Sequence, residues 1–318
     1  EVVDDHDRLV QEIESKLKAQ PWRFFRIGTW ELGDSLALDA QTGQAAQLID
    51  YFSTVENAVL ELKTKSDVVD SILDCDHKQK TVVSWSMNTD YIIQTEEHKT
   101  ASLEKRLIAI KTVADAGYLI GLHFDPMIYY PEWQDDYMSL LEQLHVVVPA
   151  DQIAWLSIGS LRFNPEQKRI MENNFRGSKI TCQEMVKGRD NKVRYIKPRR
   201  VEMYQAMFQK MRSLWGSQPL IYLCMERWDM WDKIMDIQPR SIGELDFMFA
   251  DHFNRYFMNV NPQIPNKDLY IKYQNLGIVN QNVRIGEFKK LINENITDAN
   301  WVKKLDRAFA GQAYGGAK

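Results

Sequence analysis

An α/β fold with parallel strands is what this sequence predicts, on three observations. Short β-branched or aromatic runs alternate with amphipathic helical stretches from about residue 4 to residue 224, and such alternation implies parallel pairing through right-handed crossovers. No glycine-rich phosphate loop follows any of these runs, which weighs against a doubly wound nucleotide fold. Polar residues gather just after most of them, as they do on the C-terminal rim of a full or partial β/α barrel.

Leu9, Ile13 and Leu17 recur at helical spacing, so 4–19 reads as a helix, ended by Pro21. Residues 23–27 read as a strand stopped by Gly28. A helix over 42–54, a strand over 59–62, a short helix over 68–73 and a β-branched strand over 81–86 follow. The clearest helix spans 102–116: Leu103, Leu107, Ile110 and Ala114 share a face, Thr100 or Ser102 can cap it, and Gly117 takes the C′ position. Strand 118–124, helix 133–145, strand 153–158, helices 165–174 and 200–214, and strand 219–224 bring the count to six strands. An aromatic-rich helix over 244–258 precedes an Asn-rich stretch, two short helices near 286–293 and 298–309, and a Gly-rich tail. The expected organisation is a β/α unit over 1–240 and a small helical appendage over 241–318.

Composition narrows the function. The 318 residues carry 40 Lys and Arg against 44 Asp and Glu, a net charge of −4, so no global field favours nucleic acid. With 44% hydrophobic and 26% charged residues, the bulk of the chain is neither disordered, collagenous nor coiled coil. No stretch approaches the ~20 apolar residues of a membrane span, so no membrane partner is expected. Cys75, Cys182 and Cys224 are odd in number and far apart, which argues against a disulfide framework and fits a reducing, cytoplasmic compartment.

The strand ends supply, in order, Gly28, Thr29, Trp30, Glu31 and Asp34; Lys63, Thr64 and Lys65; Ser86, Asn88 and Asp90; His123 and Asp125; Gly159, Ser160 and Arg162; and Cys224, Glu226 and Arg227. On one rim, this mixture of signs suits a zwitterionic or polar ligand. The plainer readings are that Asn88 and Asp90 are turn or cap residues, that Lys65 is solvated and that the tryptophans are core. His123 and Asp125, one residue apart, would face one side of a strand as metal ligands do, but no second His cluster completes the set.

Several of these segments resemble a known family. Thr81-Val-Val-Ser-Trp-Ser-Met-Asn-Thr-Asp-Tyr-Ile-Ile, then Ser102-Leu-Glu-Lys-Arg-Leu-Ile-Ala, then Ala116-Gly-Tyr-Leu-Ile-Gly-Leu-His-Phe-Asp-Pro-Met-Ile and Glu132-Trp are similar, in order and spacing, to the spore photoproduct lyase family of radical S-adenosylmethionine proteins. Arg26-Ile-Gly-Thr-Trp-Glu-Leu-Gly-Asp-Ser-Leu-Ala-Leu-Asp and Ser157-Ile-Gly-Ser-Leu-Arg-Phe fit the flanking segments, and the resemblance runs over roughly residues 5–235. It implies a partial parallel β/α barrel of the radical S-adenosylmethionine type, here lacking its first strand. It also implies S-adenosylmethionine and a 4Fe–4S iron–sulfur cluster at the strand ends, and a 5′-deoxyadenosyl radical that takes a hydrogen atom from the substrate. By position, Gly28, Thr29 and Glu31 match the segment that holds the methionine ammonium. Lys65 matches a lysine on the methionine carboxylate. Ser86 and Asn88 match polar residues facing methionine and ribose, and Asp125 falls beside the adenosine.

Two departures accompany the resemblance. The family's Cys-x-x-x-Cys-x-x-Cys is absent, and Cys75, Cys182 and Cys224 lack its spacing. The chain is therefore expected to be a fragment whose cluster segment lies upstream of Glu1, or a cluster-less relative; a start without Met favours the fragment. The hydrogen-donating cysteine expected after the second barrel strand is replaced by Gly28-Thr29-Trp30, which leaves the substrate open. A basic stretch from Lys187 to Arg200, with Arg189, Arg199 and Tyr195 in it, reads either as a solvated loop leading into a helix or as a nucleic-acid contact. With Ser160 and Arg162, residues Arg189, Arg199 and Arg200 are the candidate substrate-binding set. The rival readings are a cluster-less module that binds S-adenosylmethionine or nucleic acid, and a barrel hydrolase using Glu31, Asp125 and Glu226.

Overall fold

The computed structural model describes residues 6–29, 33–188 and 190–274. Its strands are β1 (Phe25–Thr29), β2 (Ala58–Thr64), β3 (Thr81–Ser86), β4 (Leu119–Met127), β5 (Ile153–Ser160), β6 (Arg162–Phe163), β7 (Met185–Lys187), β8 (Val193–Tyr195) and β9 (Leu220–Leu223). Its helices are α1 (His6–Ala19), α2 (Asp39–Thr42), α3 (Gln44–Ser53), α4 (Asp90–Glu96), α5 (Leu103–Asp115), α6 (Trp133–Val147), α7 (Pro165–Asn174), α8 (Lys197–Trp215), α9 (Trp228–Met235), α10 (Ile242–Tyr256) and α11 (Lys267–Lys272).

Six strands form one sheet in the order β1-β2-β3-β4-β5-β9, parallel throughout, with Ile27 opposite Leu60, Leu62 opposite Val83, Trp85 opposite Leu122 and Ser157 opposite Tyr222. The sheet is curled. In a flat sheet β1 and β5 would lie about 19 Å apart, four spacings of ~4.8 Å, yet the Arg26 guanidinium on β1 sits 5.2 Å from the Trp155 ring on β5. This is the partial parallel barrel that the alternation and the resemblance predict. β2, β3, β4, β5 and β9 are buried nearly end to end, as parallel strands covered on both faces are. β1 alternates between half-buried and exposed, and among the described residues it pairs on one side only.

Helices cover the convex face, and their ends follow from local chemistry. Thr89 Oγ1 caps α4 by accepting from Ile92 N, and Ser102 Oγ caps α5 by accepting from Lys105 N. Gly117, at φ +89°, ends the α5 turn in a conformation that side chains disfavour. The concave face is covered by α10, whose Phe249 and Phe253 rings lie 6.0 and 6.1 Å from Trp155. Further ties run from this end of the chain to the barrel: Phe24 N donates to the Tyr270 hydroxyl at 2.8 Å, and Lys80 Nζ donates to the Val260 carbonyl at 2.6 Å.

Several boundaries differ from expectation. Gly28 does not stop β1, which runs through it to Thr29. The stretch 187–200 is no solvated loop: β7 and β8 form a hairpin that joins β6 in a small antiparallel sheet, and α8 begins at Lys197. Tyr195, Arg194 and Arg200 are buried in it. The helices expected near 286–293 and 298–309 lie outside the described residues, as do Trp30, Glu31 and Arg189. Among the described residues no helix is long and apolar enough to cross a membrane.

Candidate functional site

Alternation along each strand sends every second side chain into the trough of the half-barrel. On β2 those are Glu61 and Lys63; on β4, Gly121, His123 and Asp125; on β5, Trp155, Ser157 and Gly159. Deepest lies a carboxylate–imidazole hydrogen bond. Glu61 Oε1 is 2.8 Å from His123 Nε2, and the Arg26 guanidinium is caged by Trp155, Tyr222 and Phe249, the last at 4.1 Å. Burial alone would raise the Glu61 carboxyl, but His123 and Arg26 outweigh it and hold the group ionised well below the usual range. An ionised carboxylate only accepts, so Nε2 carries the imidazole proton; the Trp155 indole nitrogen, 3.2 Å from that same Nε2, is then a packed neighbour. Burial, reinforced by Lys63, lowers the His123 pKa and keeps the ring neutral.

At the ends of β2 and β3 a second cluster gathers three of the predicted cofactor residues. Lys65 Nζ pairs with Glu97 at 2.9 Å. Arg106, fully buried, donates to Glu97 at 2.7 Å and to the Ser86 carbonyl at 2.9 Å. Asn88 donates to Glu97 and to the Pro126 carbonyl and accepts from the Tyr137 hydroxyl at 2.5 Å, so both its donors are used. Burial would raise the Glu97 carboxyl, and the two cations override it. Asp34 binds the backbone N–H of Lys65 at 2.7 Å and the Thr64 hydroxyl at 2.7 Å, fixing the end of β2. Ser86 is half-buried, with its hydroxyl unbonded among the described residues.

A third cluster lies across the trough, on β4, β5 and β9. Arg162 donates to both Asp125 oxygens, at 2.9 and 3.3 Å, and to Cys224 Sγ at 3.4 Å. Burial would raise the Asp125 carboxyl, and Arg162 holds it down. Burial and Asp125 together push the Cys224 thiol up to about 12, so it stays protonated. Gly159 is required here: a Cβ on it would lie 2.7 Å from Asp125 Oδ1. Beside this pair, the Tyr204 hydroxyl sits 2.9 Å from both Ser160 Oγ and Glu226 Oε1, and Glu226 pairs with Arg200.

The predicted residues thus fall into groups. Lys65, Ser86 and Asn88 are tied together through Glu97 and Arg106. Asp125 faces Arg162, and Ser160 and Arg200 meet through Tyr204 and Glu226. Thr29 bonds Ser35 at 2.8 Å, and Gly28 lies beside Glu61 on β1. Arg199 stays at the surface, 3.7 Å over the Tyr129 ring. His123 and Asp125 do share a face, but they meet Glu61 and Arg162 rather than one point. Sequence reasoning missed Glu61, Glu97 and Arg106. Glu61 had left a signal, a charge within the otherwise apolar Ala58-Val59-Leu60-Glu61-Leu62. Two open grooves of about 530 and 650 Å³ lie on the helical layer, between α6 and α8 and among α4, α5 and α6, away from this chemistry.

The donor set fits one implied cofactor and not the other. A ligand with an amino-acid head fits strand ends that offer the Lys65 ammonium and the open Ser86 hydroxyl. A 4Fe–4S cluster does not fit the described residues: Cys75, Cys182 and Cys224 lie in three separate places, and no group of three or more His, Cys, Asp or Glu could hold a metal among them.

Comparisons with known proteins agree on the family. The spore photoproduct lyase family model matches residues 5–222. The spore photoproduct lyase of Bacillus subtilis (strain 168) is 28% identical over 180 residues, 56% of this chain and 53% of that protein. The one from Geobacillus sp. (strain Y412MC61) is 28% identical over 153 residues, 48% of this chain and 45% of that protein. The chain spans about half the length of the curated relatives it matches. A solved double mutant of spore photoproduct lyase with bound AdoMet and dinucleoside spore photoproduct superimposes with a TM-score of 0.63 at 22% identity, over 69% of this chain and 66% of that one. The lyase complexed with dinucleoside spore photoproduct gives 0.62 at 24% identity, over 69% and 67%. At these identities the structural likeness speaks for the fold alone. With the family model running from before β1 into β9, and the six parallel strands curled as that fold requires, this chain belongs to the spore photoproduct lyase family.

Proposed function

We propose that this chain carries the barrel of a radical S-adenosylmethionine enzyme of the lyase type, with the cofactor's methionine end at the tips of β2 and β3. The observation that carries the reading is the knot of Lys65, Glu97, Arg106, Ser86 and Asn88 at that point of a family barrel. When bound and reductively cleaved, S-adenosylmethionine supplies a 5′-deoxyadenosyl radical that takes a hydrogen atom from a substrate. The chain's own part is to bind and orient. Lys65 offers an ammonium to the methionine carboxylate, and Glu97 and Asp34 hold that lysine in place. The Ser86 hydroxyl faces the same end. Asn88, with both its donors used, positions the β3 tip and has only its amide oxygen left to accept from a ligand hydroxyl. No step is assigned to an iron–sulfur cluster through residues of this chain.

Calorimetric titration with S-adenosylmethionine tests the reading. Lys65→Ala is expected to weaken binding on the order of tenfold to a hundredfold, the worth of one charge-assisted hydrogen bond, while circular dichroism shows the fold retained. Unchanged affinity would remove Lys65 from the site.

A nucleic-acid contact along 187–200 is favoured by one observation: Lys187 is exposed on the hairpin and Lys197 and Arg199 hold only surface ion pairs, with Asp229 and Glu202, whereas Arg194 and Arg200 are buried. Replacing Lys187 and Arg199 by Ala should flatten the salt dependence of DNA binding by about one to two log units per log salt. Binding untouched by the double substitution would end this reading.

A further inference from the structure

We propose that Lys63, together with Arg162, binds an oxyanion of the ligand inside the trough, below the rim and across from the Lys65 cluster. The proposal rests on the strand ends being a ligand site, and it assigns a chemical class to what enters there.

Lys63 follows Glu61 by two residues on β2, opposite Ser84 of β3, so alternation turns it into the trough. It is half-buried. Its neighbour Lys65 has Glu97, but the Lys63 ammonium makes no hydrogen bond and no ion pair among the described residues. Its charge is felt by His123, Asp125 and Cys224, which places it above the deep Glu61–His123 pair and facing the third cluster.

Among the described residues the trough carries one more cation than it has carboxylates to pair with. In the trough Arg26, Lys63 and Arg162 are cations, whereas Glu61 and Asp125 are the carboxylates; His123 and Cys224 are neutral. Arg26 is held among Trp155, Tyr222 and Phe249 and feels the Glu61 and Asp246 carboxylates, and Arg162 takes both oxygens of Asp125. Lys63 is the charge left over. Sequestering an unpaired cation is costly, so such a charge points to an anion that arrives from outside.

Arg162 gives an independent indication. The residue is 8% exposed, and its Nε is buried with no hydrogen-bond partner although its other nitrogens bond Asp125 and Cys224. One unpaired donor and one unpaired cation thus border the same Asp125–Cys224 corner. A carboxylate or phosphate group has the acceptors and the charge to satisfy both. Two sources share that chemistry: an acid group on the substrate, and the methionine carboxylate of S-adenosylmethionine.

Calorimetry on the full chain, with inorganic phosphate and S-adenosylmethionine as separate probes, tests the site and its source. Wild type is expected to bind phosphate, Lys63→Met to lose at least about tenfold in affinity, and Lys63→Arg to restore most of it. Lys63→Met should melt no lower than wild type, because it removes an unpaired charge; a merely structural lysine would give a lower melting point. Phosphate binding lost in Lys63→Met with S-adenosylmethionine binding retained assigns the oxyanion to the substrate. Loss of S-adenosylmethionine binding in Lys63→Met assigns it to the cofactor. Both ligands bound as tightly by Lys63→Met as by wild type, or no phosphate bound by wild type while Lys63→Met leaves S-adenosylmethionine affinity unchanged, overturns the proposal and leaves the cofactor reading standing. Phosphate binding that depends on Lys63 in a chain that takes no S-adenosylmethionine leaves the oxyanion site standing and the cofactor reading fallen.

Discussion

His252 sits on α10 against Phe253, Tyr256 and Phe257, with no hydrogen-bond partner for its Nε2, and burial pushes its pKa down to about 4. A neutral imidazole in the fold and an ordinary one near 6.5 in the unfolded chain means that the unfolded state takes up the proton first as pH falls. Stability is therefore full above about 6.5 and lost as pH drops toward about 4, by up to roughly 3 kcal/mol. Urea unfolding followed across that window should show the loss, and His252→Phe should flatten it; an unchanged acid limb would place the lability elsewhere. Two glycines make a sharper residue-scale prediction. A Cβ on Gly121 would lie 2.2 Å from Ser84 Oγ and 2.7 Å from Trp155 Nε1, so Gly121→Ala should cost about 1–3 kcal/mol in unfolding free energy. Gly159→Ala presses on Asp125 and Arg162 instead, and its expected mark is weaker phosphate binding in the titration above.

At the scale of elements, what was legible depended on length and period. β3 and α7 were read to the residue, since a strand opening on three β-branched residues and a Pro-started helix carry their own boundaries. β6, β7 and β8, two or three residues each, are too short to show alternation, and their charges made the stretch look solvated. Arg200 enters the interior because Glu226, twenty-six positions away, meets it there, and Arg194 is partnered by Asp190 at the surface end of its side chain. The site was half legible for the same reason. Strand-end position singled out Lys65, Ser86 and Asp125 as candidates, whereas Glu97, just past α4, and Arg106 on α5 meet Lys65 and Ser86 through contacts that no local pattern encodes. Ser102 was legible as a cap, and Ser102→Ala should destabilise the chain by about 1 kcal/mol in chemical unfolding; an unaltered midpoint would mean that the 3.4 Å bond to Lys105 N contributes nothing.

For the molecule as a whole, the sheet order β1-β2-β3-β4-β5-β9 follows the chain from one edge to the other, so each of these strands docks on the one made just before it. Such a sheet can grow in sequence, from contacts close along the chain. The helix that closes its concave side comes after the sheet: Phe249 and Phe253 lie on α10, beyond β9. A chain stopped at residue 240 is therefore expected to keep its far-ultraviolet circular dichroism while binding a hydrophobic dye, because Arg26, Trp155 and Tyr222 lose their cover; a truncation as dye-silent as the full chain would make that cover dispensable. The same order sets the kinetics. If closure follows the rate-limiting step, Phe249→Ala should leave the refolding rate nearly unchanged and place its whole effect on unfolding, a φ-value near zero. During synthesis, then, the trough stays wet and open until α10 emerges, and with closure after the rate-limiting step the half-life of the folded chain follows how tightly that helix holds.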